Sequence, residues 1–471
     1  MKRKSINADL CIIGAGSAGL SVAAGAAQLG RKVVLIEKGE MGGDCLNTGC
    51  VPSKALIAAA EHAQSMREAD QFGIARTEPQ IDFPRVMEHV AGVIETIAPI
   101  DSQERFEGFG VTVIRDQAAF TGPREVETES ARIRAKHFVI ATGSTPFAPP
   151  IDGLSDVPYF TNETIFANRA LPEHLIVIGG GPIGVEMAQA HRRLGANVTL
   201  IEGRAILNKD DPELVAIVRE QLERDGVTLL EGAKVSSVRN TETGVAVITD
   251  DQSITGSHIL VAAGRTPSVD GLNLEAAGVV YDARGVKTDN RLRTSNKRVY
   301  AIGDVIGGRQ FTHVAGYHAS VLVKNILFKA PAKNADHLAP WVTYCDPELA
   351  HVGLNEKEAR DQFGEIRIAT WSLAENDRAQ AERDTRGMIK IMTHKNGKIL
   401  GASIVGRGAG DLIGAWSLAI ASGLKIRAFT DMIAPYPTRG EISKRVAGAW
   451  YTPTLFSAKT KRLVSLLSLF D

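Results

Sequence analysis

Short apolar runs separated by helix-forming stretches recur along the chain, a pattern typical of α/β proteins with parallel sheets. The runs predict buried strands at residues 9–13, 32–37, 138–141, 175–178, 197–202, 259–262 and 299–302. Helical stretches are expected near residues 53–60 and 86–100, and mixed strands and helices resume beyond Trp341. A Pro/Ala-rich stretch around Pro331 has the composition of a linker. The fold class predicted from this pattern is α/β.

Two segments of the chain repeat one arrangement: a buried strand, the spacing G-x-G-x-x-G, a helix, a second strand and a terminal acid. The glycines are Gly14, Gly16 and Gly19 in the first copy and Gly179, Gly181 and Gly184 in the second, and the acids are Glu37 and Glu202. In such a unit the first glycine makes a tight turn, the second lets the backbone approach a pyrophosphate, and the third lets the helix pack on the strand. The phosphate lies at the helix N-terminus, and the acid binds a ribose hydroxyl. Two complete units predict two dinucleotides, as in a flavoprotein that also binds a nicotinamide.

Composition and charge narrow the classes of function. The 471 residues carry 54 Lys+Arg and 54 Asp+Glu, so nucleic acid, which is usually met by a basic stripe, is not expected as a partner. No apolar run of the sequence approaches the ~18 residues that span a bilayer, and no membrane partner is expected. Four cysteines are too few for a disulfide-stapled secreted fold, so a cytoplasmic location is expected.

Each end of the chain allows a second interpretation. The basic residues 2–4 and the uncharged stretch 10–30 resemble a signal peptide, but the glycines fall where a dinucleotide-binding turn requires them. Residues 459–470 could form a basic amphipathic surface helix. Because packing of a tail on its own protein is the commoner arrangement, that is the expectation for this segment.

The candidate reaction chemistry follows the first unit, where Cys45 and Cys50 lie among glycines within residues 42–54. Zinc would require two further ligands, but Cys11 lies in a predicted strand and Cys345 is remote, so no metal site is expected. Both of those cysteines are expected to be buried core residues. Cys50 directly precedes a predicted helix, and a helix N-terminus lowers the pKa of a thiol. The pair is therefore interpreted as redox-active rather than as structural or unreactive.

Taken in chain order, the motifs resemble those of the class I pyridine nucleotide–disulfide oxidoreductases, the family of dihydrolipoamide dehydrogenase, glutathione reductase and mercuric reductase. The resemblance covers essentially the whole chain and rests on both glycine units together with Gly-Gly-Asp-Cys45-x4-Cys50-Val-Pro-Ser-Lys54, Ala141-Thr142-Gly143, Ala263-Gly264-Arg265 and Ile302-Gly303-Asp304. It implies two Rossmann-like nucleotide-binding domains, for FAD and NAD(P), and a C-terminal α+β dimerisation domain in a homodimer. The implied boundaries are 1–150 (FAD, first part), 151–265 (NAD(P)), 266–340 (FAD and central segment) and 341–471 (dimerisation).

The resemblance also implies roles for matching residues. Hydride would pass from NAD(P)H to FAD, and the electrons would then reduce the Cys45–Cys50 disulfide. Cys50 would be the thiolate beside the flavin, and Cys45 the exposed thiol that exchanges with substrate. Lys54 would lie by the flavin and pair with Glu186. The implied cofactor-binding residues are Gly14, Gly16, Gly19, Glu37, Lys38, Gly43, Ala141, Thr142, Gly143, Gly179, Gly181, Gly184, Glu202, Gly264, Arg265, Gly303 and Asp304.

One departure from the family lies at residues 434–441, which read Ala-Pro-Tyr436-Pro-Thr-Arg-Gly-Glu441. Disulfide reductases of the family carry a His where this chain has Tyr436, and the Glu orients that His. Tyrosine, with an ordinary pKa near 10, does not shuttle protons near pH 7 as imidazole does. Mercuric reductases place a tyrosine there, which favours a soft metal ion or a related electrophile as acceptor. Since this sequence shows neither their C-terminal cysteine pair nor their N-terminal metal-binding domain, a mercuric-reductase-like site without delivery thiols is expected.

Three functions stay open at this point. The first is NAD(P)H-dependent reduction of a soft metal ion or related electrophile, the second is exchange with a small disulfide or dithiol as in dihydrolipoamide dehydrogenase, and the third is a diaphorase that reduces quinones. The first two would be enzymes of the EC 1.16.1 or EC 1.8.1 type. Glu202 suits the free 2′-hydroxyl of NADH, whereas Arg204 could favour NADPH. NADH is the favoured donor.

Overall fold

The computed structural model describes residues 3–470. Its strands are β1 (Lys4–Ile13), β2 (Val33–Glu37), β3 (Thr112–Arg115), β4 (Ala119–Gly122), β5 (Glu125–Glu127), β6 (Ala131–Ile140), β7 (Ser144–Pro146), β8 (His174–Ile178), β9 (Asn197–Glu202), β10 (Thr228–Glu231), β11 (Val235–Thr241), β12 (Gly244–Thr249), β13 (Ser253–Gly256), β14 (His258–Val261), β15 (Arg265–Pro267), β16 (Tyr281–Asp282), β17 (Gly285–Val286), β18 (Val299–Ala301), β19 (Trp341–Thr343), β20 (Leu349–Gly353), β21 (Arg367–Ser372), β22 (Met388–Thr393) and β23 (Ile399–Val405). Its α-helices are α1 (Ser17–Gln28), α2 (Gly43–Asn47), α3 (Cys50–Arg67), α4 (Phe83–Asp101), α5 (Gln103–Gly108), α6 (Pro182–Arg193), α7 (Pro212–Arg224), α8 (Thr312–Ile326), α9 (Glu356–Phe363), α10 (Asp377–Ala381), α11 (Ala409–Ala421), α12 (Arg427–Asp431), α13 (Glu441–Leu455) and α14 (Ala458–Leu467). The predicted α/β class is confirmed.

The described chain forms two compact units. The first contains the residues up to 67 together with 76–203 and 232–337, and the second contains 68–75, 204–231 and the residues from 338 onward. This division is coarser than the four segments expected from the sequence, so the boundaries of those segments stay predictions.

The main sheet of the first unit has the strand order β3-β2-β1-β6-β5-β4, and β18 pairs with the end of β6. Strands β2, β1, β6 and β18 run parallel, and Ile12 of β1 lies between Leu35 of β2 and Val139 of β6. All three side chains are fully buried, as expected for parallel strands that are covered on both faces. Helices α1 and α8 join the same hydrophobic core. The first predicted strand–turn–helix unit is therefore confirmed.

A second parallel sheet in the first unit repeats this arrangement. Strand β8 lies between β9 and β14, so that Ile176 is registered with Thr199 on one side and Ile259 on the other. Helix α6 connects β8 to β9, just as α1 connects β1 to β2. The internal repeat predicted from the two glycine motifs is thus present in the structure.

The second unit is built on an antiparallel sheet of order β19-β20-β23-β22-β21. Helix α11 packs on β20 and β23, and α13 packs on β21 and β22. Between them lies Trp416, which is fully buried, stacks on Phe429 at 3.9 Å between ring centroids, and donates to the Ser443 hydroxyl at 3.0 Å. This arrangement confirms the mixed α/β region predicted beyond Trp341.

Helix α14 is joined to α13 by the hydrogen bond from the Thr460 hydroxyl to the Thr454 carbonyl at 2.9 Å, but the described chain does not cover it. None of its residues is buried, and its N-cap Ser457 accepts a hydrogen bond from the backbone N–H of Thr460, so that it begins as a separate helix after α13. The expectation that this segment packs on its own protein is therefore wrong for the described residues. No helix within residues 3–470 is both long and apolar enough to cross a membrane.

Candidate active site

The three glycines of the first loop meet different surroundings. Gly14 has a left-handed φ of +105°, and a Cβ there would lie 2.3 Å from the Ala141 carbonyl oxygen. A Cβ on Gly19 would lie 1.9 Å from the Gly14 carbonyl oxygen. At Gly16 the nearest atom to a Cβ would be the Gly43 Cα, 3.9 Å away. The fold therefore requires the first and third glycines, whereas the second keeps the space above the N-terminus of α1 open.

The second loop has the same geometry. Gly179 has a φ of +114°, and a Cβ there would lie 2.5 Å from the Ala262 carbonyl oxygen. A Cβ on Gly184 would lie 1.9 Å from the Gly179 carbonyl oxygen, and one on Gly181 would meet nothing within 4 Å. No side chain of the described residues caps the helix that follows either loop. Both loops thus fit a dinucleotide, since open space and uncapped N–H groups suit a pyrophosphate.

Each terminal acid lies against its own glycine loop. Glu37 accepts hydrogen bonds from the backbone N–H of Ala15 at 2.6 Å and of Gly39 at 2.7 Å. Glu202 accepts one from the backbone N–H of Gly180 at 2.7 Å. A carboxylate has about four acceptor positions, so the backbone hydrogen bonds orient each acid on its loop without by themselves using all of its acceptor positions. Lys38, also expected at the cofactor, is exposed directly after β2.

The segment that carries the cysteines docks on the first glycine loop. Gly42 donates its N–H to the Ala15 carbonyl at 3.0 Å and forms a β-bridge with Gly16. Gly42 and Gly43 have left-handed φ values of +87° and +61°, which favour glycine because it has no Cβ. The turn leads into α2, so Cys45, the third residue of α2, follows closely on the segment that contacts the first glycine loop.

Asp44 ties the same turn to distant parts of the first unit. One of its carboxylate oxygens accepts from the Thr48 hydroxyl at 2.9 Å and from the Asn162 side-chain amide at 3.0 Å. The other lies 3.4 Å from the Arg265 guanidinium. That guanidinium also donates to the hydroxyl and carbonyl oxygens of Ser144. Arg265, predicted as a cofactor-binding residue, is thus held among protein groups.

The Gly303–Asp304 turn is held from two sides. The Asp304 carboxylate accepts from the Ser144 hydroxyl at 2.7 Å, and burial raises the pKa of this carboxyl. Gly303 donates its N–H to Nδ1 of the buried His318 at 3.2 Å, so Nε2 of that ring carries the proton and donates to Asp336 at 3.3 Å. The turn therefore has a fixed orientation at the end of β18.

The remaining predicted cofactor turns also have the geometry of tight connections. The left-handed glycines are Gly143 (φ +70°), Gly264 (φ +133°) and Gly303 (φ +71°). Ala141 donates its N–H to the Ile13 carbonyl at 2.8 Å, and the Thr142 hydroxyl donates to the Ser268 carbonyl at 2.7 Å. These turns follow the ends of parallel strands, where ligands bind in open α/β sheets.

The two thiols differ in environment. Cys50 is the first residue of α3, is exposed, and has its Sγ 3.4 Å from the Thr312 hydroxyl oxygen. Its hydrogen bond with Cys45 lowers the pKa of Cys50 to about 6, helped by Thr312 and by the charge of Lys54. The same hydrogen bond and burial raise the pKa of Cys45. Cys50 is thus the thiol that ionises first.

The two thiols differ in exposure. In the chain by itself Cys45 is half-buried and Cys50 is exposed. Cys45 lies within α2, which packs on α3 and α4, while Cys50 stands at the open end of α3, on the side where the resemblance places the flavin. The role of Cys45 as the thiol that exchanges with substrate stays a prediction. Cys11 and Cys345 are buried, as expected.

Lys54 and Glu186 meet as the sequence motif implied. Lys54 Nζ donates to Glu186 Oε2 at 2.8 Å, and the side chains are 36% and 5% exposed. The contact joins α3 to α6, and it is reinforced where Arg67 donates to the Arg193 carbonyl at 2.8 Å. This ion pair links the thiol helix to the second dinucleotide unit.

Tyr436 and Glu441 belong to the second unit. The Tyr436 hydroxyl donates to Asp377 at 2.9 Å, and this bond raises the pKa of the phenol, as does the negative charge of Glu441. Tyr436 is 68% exposed, whereas Glu441 is half-buried and forms an ion pair with Arg445 at 2.7 Å. The Tyr436 side chain is therefore exposed to solvent, and its hydroxyl donates a hydrogen bond to the Asp377 carboxylate.

Sequence reasoning missed several residues of these arrangements. They are Asp44, Ser144, Asn162, Thr312, His318 and Asp377. Apart from Asp44, which stands in the cysteine motif, none belongs to a glycine or cysteine spacing, and their partners are distant in sequence: Thr312 lies 262 residues from Cys50. The one available signal was the position of Asp44 beside Cys45.

Comparison with known proteins identifies the family. The family described as pyridine nucleotide-disulphide oxidoreductase matches residues 8–319, and its dimerisation domain matches residues 339–447. The chain belongs to this family. Its members bind FAD and use NAD(P)H, and the chain is accordingly an FAD-dependent oxidoreductase.

Individual relatives are similar over nearly their whole length. The mercuric reductase of Streptomyces lividans is 37% identical, over 93% of this chain and 95% of that protein. The dihydrolipoyl dehydrogenase of Geobacillus stearothermophilus is 35% identical, over 94% of this chain and 96% of that protein. The Cu(II) complex of the HOCl-induced flavoprotein disulfide reductase RclA from Escherichia coli has a TM-score of 0.85 at 27% identity, over 93% of this chain and 99% of that chain.

Proposed function

We propose that this enzyme uses NAD(P)H to reduce a soft metal ion, or a related electrophile, held by the thiolates of Cys45 and Cys50. The observation that carries the proposal is the unequal thiol pair. Because the pKa of Cys50 is lowered to about 6, this thiol is mostly ionised near pH 7 and can bind a metal ion without first losing a proton. Thiolates are the ligands that soft metal ions prefer.

The residues of the chain divide the work as follows. The first glycine loop (Gly14, Gly16 and Gly19) would hold FAD, which would supply the two-electron chemistry that links NAD(P)H to the neighbouring cysteine pair. Lys54, held by Glu186, keeps positive charge near Cys50 and stabilises its thiolate. Cys45 then contributes the second thiolate and releases its proton to solvent as the metal ion binds.

The overall reaction balances in electrons and protons. NAD(P)H is oxidised to NAD(P)⁺ with loss of two electrons and one proton. Hg(II) takes both electrons and becomes Hg(0), or two Cu(II) ions take one each and become Cu(I). Mercuric reductases among the relatives and the Cu(II) complex of RclA support this class of acceptor.

Tyr436 favours a metal ion over a disulfide. Its hydrogen bond to Asp377 raises the pKa of the phenol, so the phenol stays protonated near pH 7 and cannot serve as the base in thiol–disulfide exchange. In a homodimer formed through the matched dimerisation domain, Tyr436 and Glu441 would reach the partner's Cys45. Glu202, held on its glycine loop, would accept from a free 2′-hydroxyl and repel a 2′-phosphate, so NADH is the proposed donor.

An acceptor panel tests the proposal. Anaerobic oxidation of NADH and NADPH is followed with Hg(II), Cu(II), lipoamide and a quinone, in the wild type, Cys50→Ser and a Cys345→Ala control whose thiol lies outside the site. We expect metal-dependent oxidation in the wild type and the control, and its loss in Cys50→Ser. Absence of any Hg(II)- or Cu(II)-dependent oxidation contradicts the proposal.

The same panel separates the two other functions. Tyr436→His introduces the imidazole that disulfide reductases of the family carry at this position. A large gain in lipoamide turnover is expected if the lack of this base limits disulfide exchange. If the wild type already turns over lipoamide faster than it reduces metal ions, its function is disulfide exchange, as in the dihydrolipoyl dehydrogenase relatives. Quinone reduction that survives in Cys50→Ser without metal reduction in the wild type indicates a diaphorase.

A further inference from the structure

Helix α14 and the turn after it present apolar side chains that no other part of residues 3–470 buries. Leu463, Leu466 and Leu467 recur at i, i+3 and i+4, so they share one side of the helix. They are 53%, 56% and 55% exposed, and Phe470 is 83% exposed. We call these four residues the α14 face. An exposed contiguous apolar surface of this kind marks an interaction site.

The charged residues within 446–470 are all positive, and the acid Asp471 follows Phe470 in the sequence. Residues 446–470 include Lys459, Lys461 and Arg462 and contain no Asp or Glu, although the whole chain has equal numbers of basic and acidic residues. All three cations are exposed. Basic residues beside a Leu/Phe face are typical of helices that lie in a membrane interface, where the cations meet anionic headgroups.

We propose that the α14 face and its three cations bind the surface of a membrane that contains anionic lipids. The helix would lie in the plane of the interface, with its leucines at the headgroup–acyl boundary. The proposal is about surface binding, and no helix of the described residues is suited to cross the bilayer. It revises the expectation that the enzyme has no membrane partner, and it does not rest on the proposed acceptor.

A second copy of the chain is the main alternative occupant of the α14 face. If the two α14 helices packed on each other at a two-fold axis, Lys459, Lys461 and Arg462 would approach their equivalents. Like charges in that position oppose association. The match to the family's dimerisation domain also ends at residue 447, before α14 begins. Charge therefore favours an anionic lipid surface.

Vesicle flotation of the FAD-loaded full chain tests the proposal. The probes are phosphatidylcholine vesicles with about 30% phosphatidylglycerol and vesicles of phosphatidylcholine alone, at ~0.1 M and ~0.5 M NaCl. The variants are Lys459→Gln with Lys461→Gln and Arg462→Gln (charge variant), Leu463→Ser with Leu466→Ser and Leu467→Ser (apolar variant), and Lys398→Gln with Lys425→Gln and Arg427→Gln (matched control). The control removes the same charge from exposed positions elsewhere in the second unit.

We expect the wild type and the matched control to float with the anionic vesicles at low salt. Both α14 variants should lose at least about tenfold in partitioning, and high salt should release the wild type. NAD(P)H oxidation in vesicle-free solution should be the same in all forms, which separates this test from that of the acceptor. Equal flotation of wild type and charge variant, or none with either vesicle, overturns the proposal. So does an apolar variant that turns a dimer into a monomer, because the α14 face would then join two copies.

Discussion

The hydrogen bond between the two thiols allows a quantitative test of the site. This bond is the largest cause that lowers the pKa of Cys50 to about 6. A hydrogen bond to a charged group contributes about 1.5–3 kcal/mol, and one pKa unit corresponds to about 1.4 kcal/mol. Removing the donor in Cys45→Ala should therefore raise the pKa of Cys50 to about 7–8. The thiolate fraction at pH 7 would fall from about 90% to about 10–50%.

The assay is the pH dependence of the alkylation of Cys50 by iodoacetamide in reduced protein, with the modified peptide identified by mass spectrometry. Cys45→Ser is the matched control, because its hydroxyl can still donate to the thiolate. Cys11 and Cys345 are 0% and 2% exposed, so they should react slowly in the folded protein. We expect midpoints near 6 for the wild type and higher for Cys45→Ala, with Cys45→Ser closer to the wild type. Coincident midpoints for the Ala and Ser variants would refute the hydrogen-bond argument.

Three further predictions concern the loops, the ion pair and the core. Gly181→Ala places its Cβ in open space, so it should raise the KM for NAD(P)H with little change in Tm. Gly184→Ala places its Cβ 1.9 Å from a backbone oxygen, so it should lower Tm strongly. Steady-state kinetics and thermal unfolding of both variants check these outcomes. Lys54→Met removes the 2.8 Å bond to Glu186 and should lower the free energy of unfolding by about 1.5 kcal/mol in urea titrations, the low end because Lys54 is 36% exposed. Trp416→Ala opens a cavity in the core of the second unit and should cost about 3–5 kcal/mol, so a wild-type midpoint would contradict the packing.

Local sequence was enough to predict the two dinucleotide units. The turn at Gly14 and the close packing at Gly19 depend on atoms within a few residues and on the adjacent strand. The spacing of the glycines was therefore enough to predict both features. The position of Cys50 at the start of α3 is local in the same sense. Strands, turns and the cysteine helix could therefore be placed before the structure was known.

Contacts between distant segments could not be predicted in this way. Thr312 reaches Cys50, and Asp377 reaches Tyr436 from 59 residues away, and no spacing rule connects either pair. The family resemblance implied the meeting of Lys54 with Glu186, which their separation of 132 residues would otherwise have hidden. Polar contacts that depend on the assembled fold thus require either a structure or a homologous motif.

Exposure is the property that local sequence determines least, because it depends on everything that packs on an element. Leu463 and its neighbours have the pattern of a helix with one apolar side, but the pattern does not identify the surface against which that side packs. Burial is decided by the whole packed chain, so a local pattern predicts the apolar side of a helix but not the surface that covers it.

The central claim is that electrons from NAD(P)H reach the Cys45–Cys50 pair. The most direct measurement starts from oxidised, FAD-loaded protein, adds one equivalent of NADH under anaerobic conditions, and then counts and maps the thiols by alkylation and mass spectrometry. The account predicts two new thiols per chain, at Cys45 and Cys50. Consumption of NADH with no new thiol, or with thiols at other positions, would contradict it.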